Sequence, residues 1–411
     1  MRPDGWLLAV CLARALMTSI FMTYAAALPV LRPAWGMSAT LAGSISTGSQ
    51  LGYAVSLVVF SALADRLGAR RVFVSSAWFS AIAALAFALG ARSYASGLVL
   101  YTLVSVSQGG AYTTAIMLIA DRYPPERRGS AVGWLIASSS LGYALSLAVS
   151  GMALSYGYEV SFVVAACGPL LGACMLWLAL RTTPNVVHRR RAGVRFGGAV
   201  LRNARAMRLM LGYTFHSWEL LGMWAWVPAF LAAAFAAGGA GERAVMLGAY
   251  LSASFHVMGL VASSSMGRLS DRLGRRAVLF GLSASSAACS FVFGWLIGAP
   301  IALVFAVGAL YSFTALGDSP VLSTALTEAV EPPYLGAALA LRSFLGFGAG
   351  AIAPLVFGAV LDATNPAGAP GDAWGWAFVT LGIGGAGAAA CAWSLAPDRR
   401  PALAAAREPS A

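Results

Sequence analysis

Long apolar runs separated by short polar breaks recur along the whole chain, and the runs share one size. Twelve can be marked, at residues 6–31, 40–63, 72–91, 96–120, 130–154, 159–181, 209–236, 244–266, 277–298, 300–326, 335–361 and 374–396. A bilayer core about 30 Å thick is crossed by about 20 residues rising 1.5 Å each, so each run is long enough to span one. Lipid offers the backbone no partners, so each run is predicted to be a helix. The pattern predicts an all-α membrane protein with twelve transmembrane helices.

Composition agrees: 59% of residues are hydrophobic and 10% charged, against about 25% charged in soluble proteins. The net charge of +12 raises the question of nucleic acid, and its placement answers it. All 27 basic residues are Arg. With a cytoplasmic N-terminus, 22 of them fall in cytoplasmic segments: Arg2, three in 66–71, three in 122–128, eight in 181–208, four in 268–276 and three in 399–407. Outer loops hold only Arg32, Arg92 and Arg243, and Arg14 and Arg342 lie inside spans. This asymmetry is the positive-inside pattern, which predicts cytoplasmic termini. Charges scattered over short loops match no nucleic-acid footprint; anionic lipid headgroups are their expected neighbours. The five cysteines all lie in apolar runs without C-x-x-C spacing and read as small buried hydrophobes. The opening "MRPDGWLLAVCLARALM" has two readings. Small residues near Ala25 and Ala27 suit a signal peptide, but Arg14 interrupts the apolar core and the run is long enough to span, so it is read as the first helix.

Residues 181–208 are the one sizeable hydrophilic insertion, and they divide the chain. The expected organisation is a six-helix bundle over 1–181, a cytoplasmic Arg-rich linker over 182–208, a second six-helix bundle over 209–396 and a cytoplasmic tail over 397–411. The linker is either a solvated loop or, from the spacing of Arg195, Arg202, Arg205 and Arg208, a helix lying on headgroups. The bundles repeat one another. "SALADRLGARR" (61–71) returns as "MGRLSDRLGRR" (266–276), with Asp65 and Asp271 separated by 206 residues, about half the chain. Pro124, Pro125 and Gly129 are echoed by Pro332, Pro333 and Gly336. Two related six-helix blocks are an architecture suited to alternating access around a central site.

These loops resemble the signature of the major facilitator superfamily of secondary transporters: Gly, any, Leu, any, Asp, Arg, any, Gly, Arg, then Lys or Arg. The second copy matches throughout at Gly267, Leu269, Asp271, Arg272, Gly274, Arg275 and Arg276; the first keeps Leu63, Asp65, Arg66, Gly68 and Arg70 but has Ser61 and Ala69 at two positions. The resemblance implies two pseudo-symmetric bundles and a cytoplasmic conformational latch, with Asp65, Asp121, Arg122 and Arg127 as its expected first-half network. Gly267 is expected to allow close helix approach, and Gly274 a tight turn. The alternative is that these charges serve topology alone.

Ionisable groups at membrane depth cost at least about 2.5 kcal/mol each and are functional candidates. Arg14 lies about 12 Å into span 1 and Glu219 about 15 Å into span 7; Asp318 and Arg342 complete the set. In the family that the loops resemble, helices 1, 4, 7 and 10 face the central cavity, which singles out Arg14, Glu219 and Asp318. Arg14 and Arg342 are candidates for an anionic group of a substrate, with Glu219 or Asp318 as partner to Arg14 in its absence. Glu219 is the first candidate to carry the coupling proton and Asp318 the next, with His216, three residues from Glu219, as a relay beside it. Gln108, Tyr112 and Trp218 are expected to contribute to substrate binding, with Trp224 nearby and Trp226 as a possible interface anchor. "GFGAGAIAPLVFG" (346–358) reads as close helix packing. The alternative is that the deep charges are structural ion pairs.

Without any Lys, the chain has no Walker A lysine, and it has neither a G-x-S-x-G elbow nor H-E-x-x-H. No enzyme activity, cofactor or metal is expected. The leading reading is a monomeric multi-pass transporter in a bacterial inner membrane, moving a small organic anion with a proton. A drug or metabolite exporter is the alternative; the Gly-Pro signature of drug–proton antiporters is absent from span 5, where the chain has no proline. A non-transporting receptor or assembly factor is a third reading.

Overall fold

The computed structural model describes residues 3–187, 198–331, 334–366 and 373–396. Among them every regular element is a helix. Twelve are long and apolar enough to cross a membrane: spans 1–6 are Gly5–Ala34, Ala39–Leu67, Ala69–Gly90, Tyr94–Arg122, Glu126–Tyr156 and Tyr158–Leu180, and spans 7–12 are Ala204–Ala237, Gly241–Leu273, Arg275–Leu296, Ile301–Ala329, Ala338–Thr364 and Gly375–Trp393. The protein is thus an integral multi-pass membrane protein. The second proline-glycine landmark (Pro332, Pro333), Arg195 in the linker and the tail 397–411 lie outside the described residues.

Span 1 departs from the unbroken helix expected over 6–31. It is two helices, Gly5–Thr18 and Thr23–Ala34, with residues 19–22 between them. A break at membrane depth requires other partners for the freed backbone groups, and neighbouring spans provide them. Gln108 Nε2 donates to the Met17 carbonyl at 3.0 Å, the Tyr101 hydroxyl to the Phe21 carbonyl at 2.5 Å, and the Met22 N–H to Ser146 Oγ at 3.0 Å. These partners lie 80 or more residues away in sequence, so nothing local to span 1 announces the break.

With an even number of spans, both termini lie on one side of the membrane. On the opposite, far side, one core joins the two halves: Ile20, Tyr24, Phe87 and Phe162 belong to the same cluster as Trp226, Phe293, Phe357 and Phe378. On the terminus side each half has its own core, around Leu7, Phe73, Leu118 and Leu176 in the first and Leu209, Leu279, Val321 and Leu326 in the second. The halves are therefore sealed together at the far end and parted at the other.

Asp362 fastens the seal. From the end of span 11 it accepts the Ala39 and Thr40 N–H groups at 2.7 and 2.8 Å and the Thr40 hydroxyl at 2.6 Å, at the start of span 2. A carboxylate on orphan N–H donors at a helix start gains from charge-assisted bonds and from the helix dipole. Gly358 packs on the Ala39 carbonyl and Gly43 on that of Pro354, where a Cβ atom would collide with backbone. Asp362→Ala is expected to populate a far-side-open state. Spin labels at the start of span 2 and the end of span 11 should then show a longer distance component that the wild type lacks; unchanged distance distributions would contradict the role of this seal.

Candidate substrate site

At mid-depth, where the joint core ends, each half presents one guanidinium. Arg14 lies one turn before the break in span 1 and is 4% exposed. Its Nε donates to Ser139 Oγ of span 5 at 2.9 Å, its guanidinium carbon lies 5.5 Å from the centre of the Tyr112 ring of span 4, and the Tyr53 hydroxyl of span 2 faces it. Half-buried Arg342 in span 11 repeats the arrangement. Its Nη1 donates to Ser323 Oγ of span 10 at 2.8 Å, it lies 4.2 Å from the centre of the Tyr213 ring of span 7, and its Nε is buried with no acceptor. Cation–π contact is worth about 0.5–2 kcal/mol, which supports a guanidinium without neutralising it. Among the described residues no carboxylate comes within 4.0 Å of either one. The Tyr112 hydroxyl lies in the field of both charges, one from each half.

The expected pairing of Arg14 with Glu219 or Asp318 is therefore corrected. Asp318 is taken by His216, whose Nδ1 lies 2.8 Å from Asp318 Oδ1, off the line of a hydrogen bond, so that Oδ1 accepts none. Tyr213 packs on His216 at 5.5 Å between ring centres. A continuous line thus runs from Arg342 through Tyr213 and His216 to Asp318. Glu219 turns instead into the second bundle, towards the hydroxyls of Ser286, Ser290 and Tyr311. Only glycine fits opposite it at 385, since a Cβ there would lie 2.8 Å from Glu219 Oε2. One carboxyl oxygen, Oε1, has no hydrogen-bond partner.

Comparison with known proteins bears on what such an arrangement does. The sequence profile of the Major Facilitator Superfamily matches residues 10–263 and 244–410. The chain belongs to the major facilitator superfamily. Among curated relatives, the hexuronate transporter of Bacillus subtilis (strain 168) is 23% identical over 364 residues, covering 82% of this chain and 83% of that one. The "Probable 4-methylmuconolactone transporter" of Cupriavidus pinatubonensis is 26% identical over 320 residues, covering 73% and 70%. Among solved structures, a D-xylose–proton symporter superposes with a TM-score of 0.77 at 16% identity, covering 95% of this chain and 97% of that one. This superfamily member is a transporter, not an enzyme, with two six-helix bundles.

The remaining expected site residues of this major facilitator protein divide between the bundle interface and the bundle interiors. Tyr112 stands under Arg14 as described. Gln108 is a brace for the break in span 1 and is committed to Met17. Trp218 is corrected out of the interface: its indole N–H donates to the Thr380 carbonyl at 2.9 Å and its ring packs on Gly384 of span 12. Two helical steps of about 100° place residue 218 on the face opposite His216. Trp226 is not an anchor at the membrane surface but fully buried, stacked on Phe357 at 5.1 Å with its N–H on the Pro354 carbonyl. Three of the four glycines of 346–358 do serve close packing, Gly346 against the Tyr213 ring, Gly350 against the Ser217 carbonyl and Gly358 against the Ala39 carbonyl, whereas Gly348 meets open space. Ser139, Ser323, Tyr53 and Tyr213 were invisible as site residues in the sequence, because what marks them is contact with an arginine from another span.

Both signature loops lie on the terminus side. Gly274 adopts a φ of +91°, the tight turn expected of it, and Gly68 repeats it at +90°. In the second copy Arg275 gathers Asp271 at 2.6 Å and Glu328, at the end of span 10, at 2.9 Å, while Arg276 lies 5.0 Å from the centre of the Trp393 ring. In the first copy Arg70 donates to the Leu180 and Arg181 carbonyls at 2.8 and 3.1 Å. Asn185 grips the turn at Gly68 through the Leu67 carbonyl and the Arg71 N–H. The network expected around Asp65 and Asp121 is corrected at Arg122, which turns to span 1. It lies 4.8 Å from the centre of the Trp6 ring, beside the bond from the Tyr123 hydroxyl to Asp4. Arg66, Arg127 and Arg272 are exposed. Gly267 is not at a close approach in this conformation, since among the described residues nothing lies within 4 Å of a Cβ placed there.

Proposed function

We propose that this protein carries a small organic anion across a bacterial inner membrane by alternating access, coupled to a proton. The observation that carries the reading is the pair of guanidinium groups, Arg14 and Arg342, one on each bundle and neither within ion-pair distance of a carboxylate. A permanent charge at membrane depth calls for a counter-charge, and a carboxylate fits a guanidinium fork through two parallel bonds. The relatives support the same chemistry, since a hexuronate is a carboxylate. Positive-inside asymmetry supports cytoplasmic termini, with the arginine-rich loops against anionic headgroups.

In this account residues 1–181 and 209–396 rock as units about the site, joined by the linker 182–208. The anion enters from the terminus side, where the halves are parted, and its charge draws Arg14 and Arg342 towards each other. Closure on that side strains the far-side seal at Asp362. Asp318 and His216 hold the coupling proton, with Glu219 behind them. An anion on Arg342 offsets the positive field beside Tyr213, His216 and Asp318, so the proton and the substrate favour each other's presence.

Purified protein should be stabilised against thermal unfolding by millimolar carboxylates such as glucuronate or benzoate. Tetraphenylphosphonium, a lipophilic cation, should leave the unfolding midpoint unchanged. Stabilisation by the cation and by no carboxylate would overturn the reading.

A further inference from the structure

Between the bundles lies a second group of polar atoms that the protein leaves unsatisfied. His256 of span 8 is 7% exposed and buried in the interface, and its neighbours are rings: Trp224 at 5.5 Å and Tyr143 at 5.8 Å between centres. Among the described residues it has no hydrogen-bond or ion-pair partner. The indole N–H of Trp224 is also buried without an acceptor. Both residues line a cavity of about 20 Å³ together with Phe255, Leu316, Ser252 and Ser312. That volume admits one group the size of a water molecule, and buried donors of this kind are normally paired.

The cavity lies close to Arg14. Ser139, which holds Arg14, and Tyr143, which touches both His256 and Trp224, are four residues apart on span 5. One helical turn is about 5.4 Å, a spacing that a six-membered ring bridges. The wall between them is aromatic: Tyr143 packs on Phe21 at 5.2 Å, and Phe21 on Tyr53 at 5.9 Å. An imidazole offers one donor and one acceptor and an indole one donor, so together they satisfy a hydroxyl that both donates and accepts.

We propose that the transported anion is a hydroxyaryl carboxylate, bound with its carboxylate on Arg14, its ring along Tyr143 and its hydroxyl in the cavity between His256 and Trp224. This rests on the anion reading above and adds the ring and the hydroxyl to it. His256 and Trp224 are specificity residues in this arrangement, separate from the charge recognition at Arg14.

The test is calorimetric titration of the full-length protein in nanodiscs with benzoate, 3-hydroxybenzoate and 4-hydroxybenzoate. One hydroxybenzoate is expected to bind about tenfold more tightly than benzoate, the size of one well-made neutral hydrogen bond. His256→Phe and Trp224→Phe should each lower that affinity towards the benzoate value, and His256→Gln, which keeps a donor and an acceptor, should restore part of it. Arg14→Lys should weaken all three ligands together. Equal wild-type affinities, or a preference that survives both Phe variants, overturn the inference, and if Arg14 still matters the anion reading stands. Failure of all three to bind, or binding that ignores Arg14, overturns both.

Discussion

Arg14→Lys is expected to weaken carboxylate binding by about 1.5–3 kcal/mol, the range for a hydrogen bond to a charged group, although it preserves the charge. Lysine keeps a point charge but loses the planar fork, and its shorter set of donors cannot hold Ser139 and a carboxylate in the geometry that Nε now allows. The flat stacking over Tyr112 is lost with it. Arg342→Lys should lower affinity in the same direction, since it makes the matching contacts with Ser323 and Tyr213. Among the described residues neither arginine belongs to an ion pair, so neither substitution strands a buried carboxylate, and thermal unfolding without ligand should shift little. Wild-type affinity in both variants, measured by counterflow in proteoliposomes, would remove the anion site from the interface.

Asp318→Asn is expected to abolish accumulation driven by a pH gradient while preserving exchange of substrate for substrate. Asparagine keeps the size of the side chain beside His216, but it cannot gain or lose the proton. Accumulation against a concentration gradient should fall to simple equilibration, while counterflow retains its rate within a few-fold. Glu219→Gln should have the smaller effect on accumulation, because Glu219 faces Ser286, Ser290 and Tyr311 inside the second bundle and not the line from Arg342. A variant at Asp318 that still concentrates substrate would place the coupling proton elsewhere.

The sequence made legible whatever is local along the chain. Twelve spans follow from run length alone, and the arginine asymmetry and the repeated loops around Asp65 and Asp271 can be read without any knowledge of packing. Arg14 and Arg342 were legible as site candidates because a charge in an apolar run stands out by its cost. What surrounds them was not. Ser139, Ser323 and Tyr213 look like ordinary residues of membrane helices, and only the register between helices brings them to the arginines. The break in span 1 was hidden for the same reason, since Gln108, Tyr101 and Ser146 satisfy it from other spans. Trp218 misled because richness in aromatic residues says nothing about which face of the helix each one occupies. Glu219 and Asp318 were correctly placed at depth, but the sequence offered no means of choosing between an arginine across the interface and a histidine within the same bundle.

The central claim is that the protein moves an organic anion together with a proton. The most direct measurement is uptake of labelled 4-hydroxybenzoate and labelled benzoate into proteoliposomes, with the membrane potential clamped and an inside-alkaline pH gradient imposed. The account predicts that a labelled acid enters faster than into protein-free liposomes, saturably and against its concentration gradient, with the bath turning alkaline as it enters. It also predicts that this excess rate over protein-free liposomes vanishes when the gradient is collapsed or when Arg14 is replaced. Uptake of the acids that is indifferent to the gradient and to Arg14, alongside saturable transport of a lipophilic cation, would contradict it.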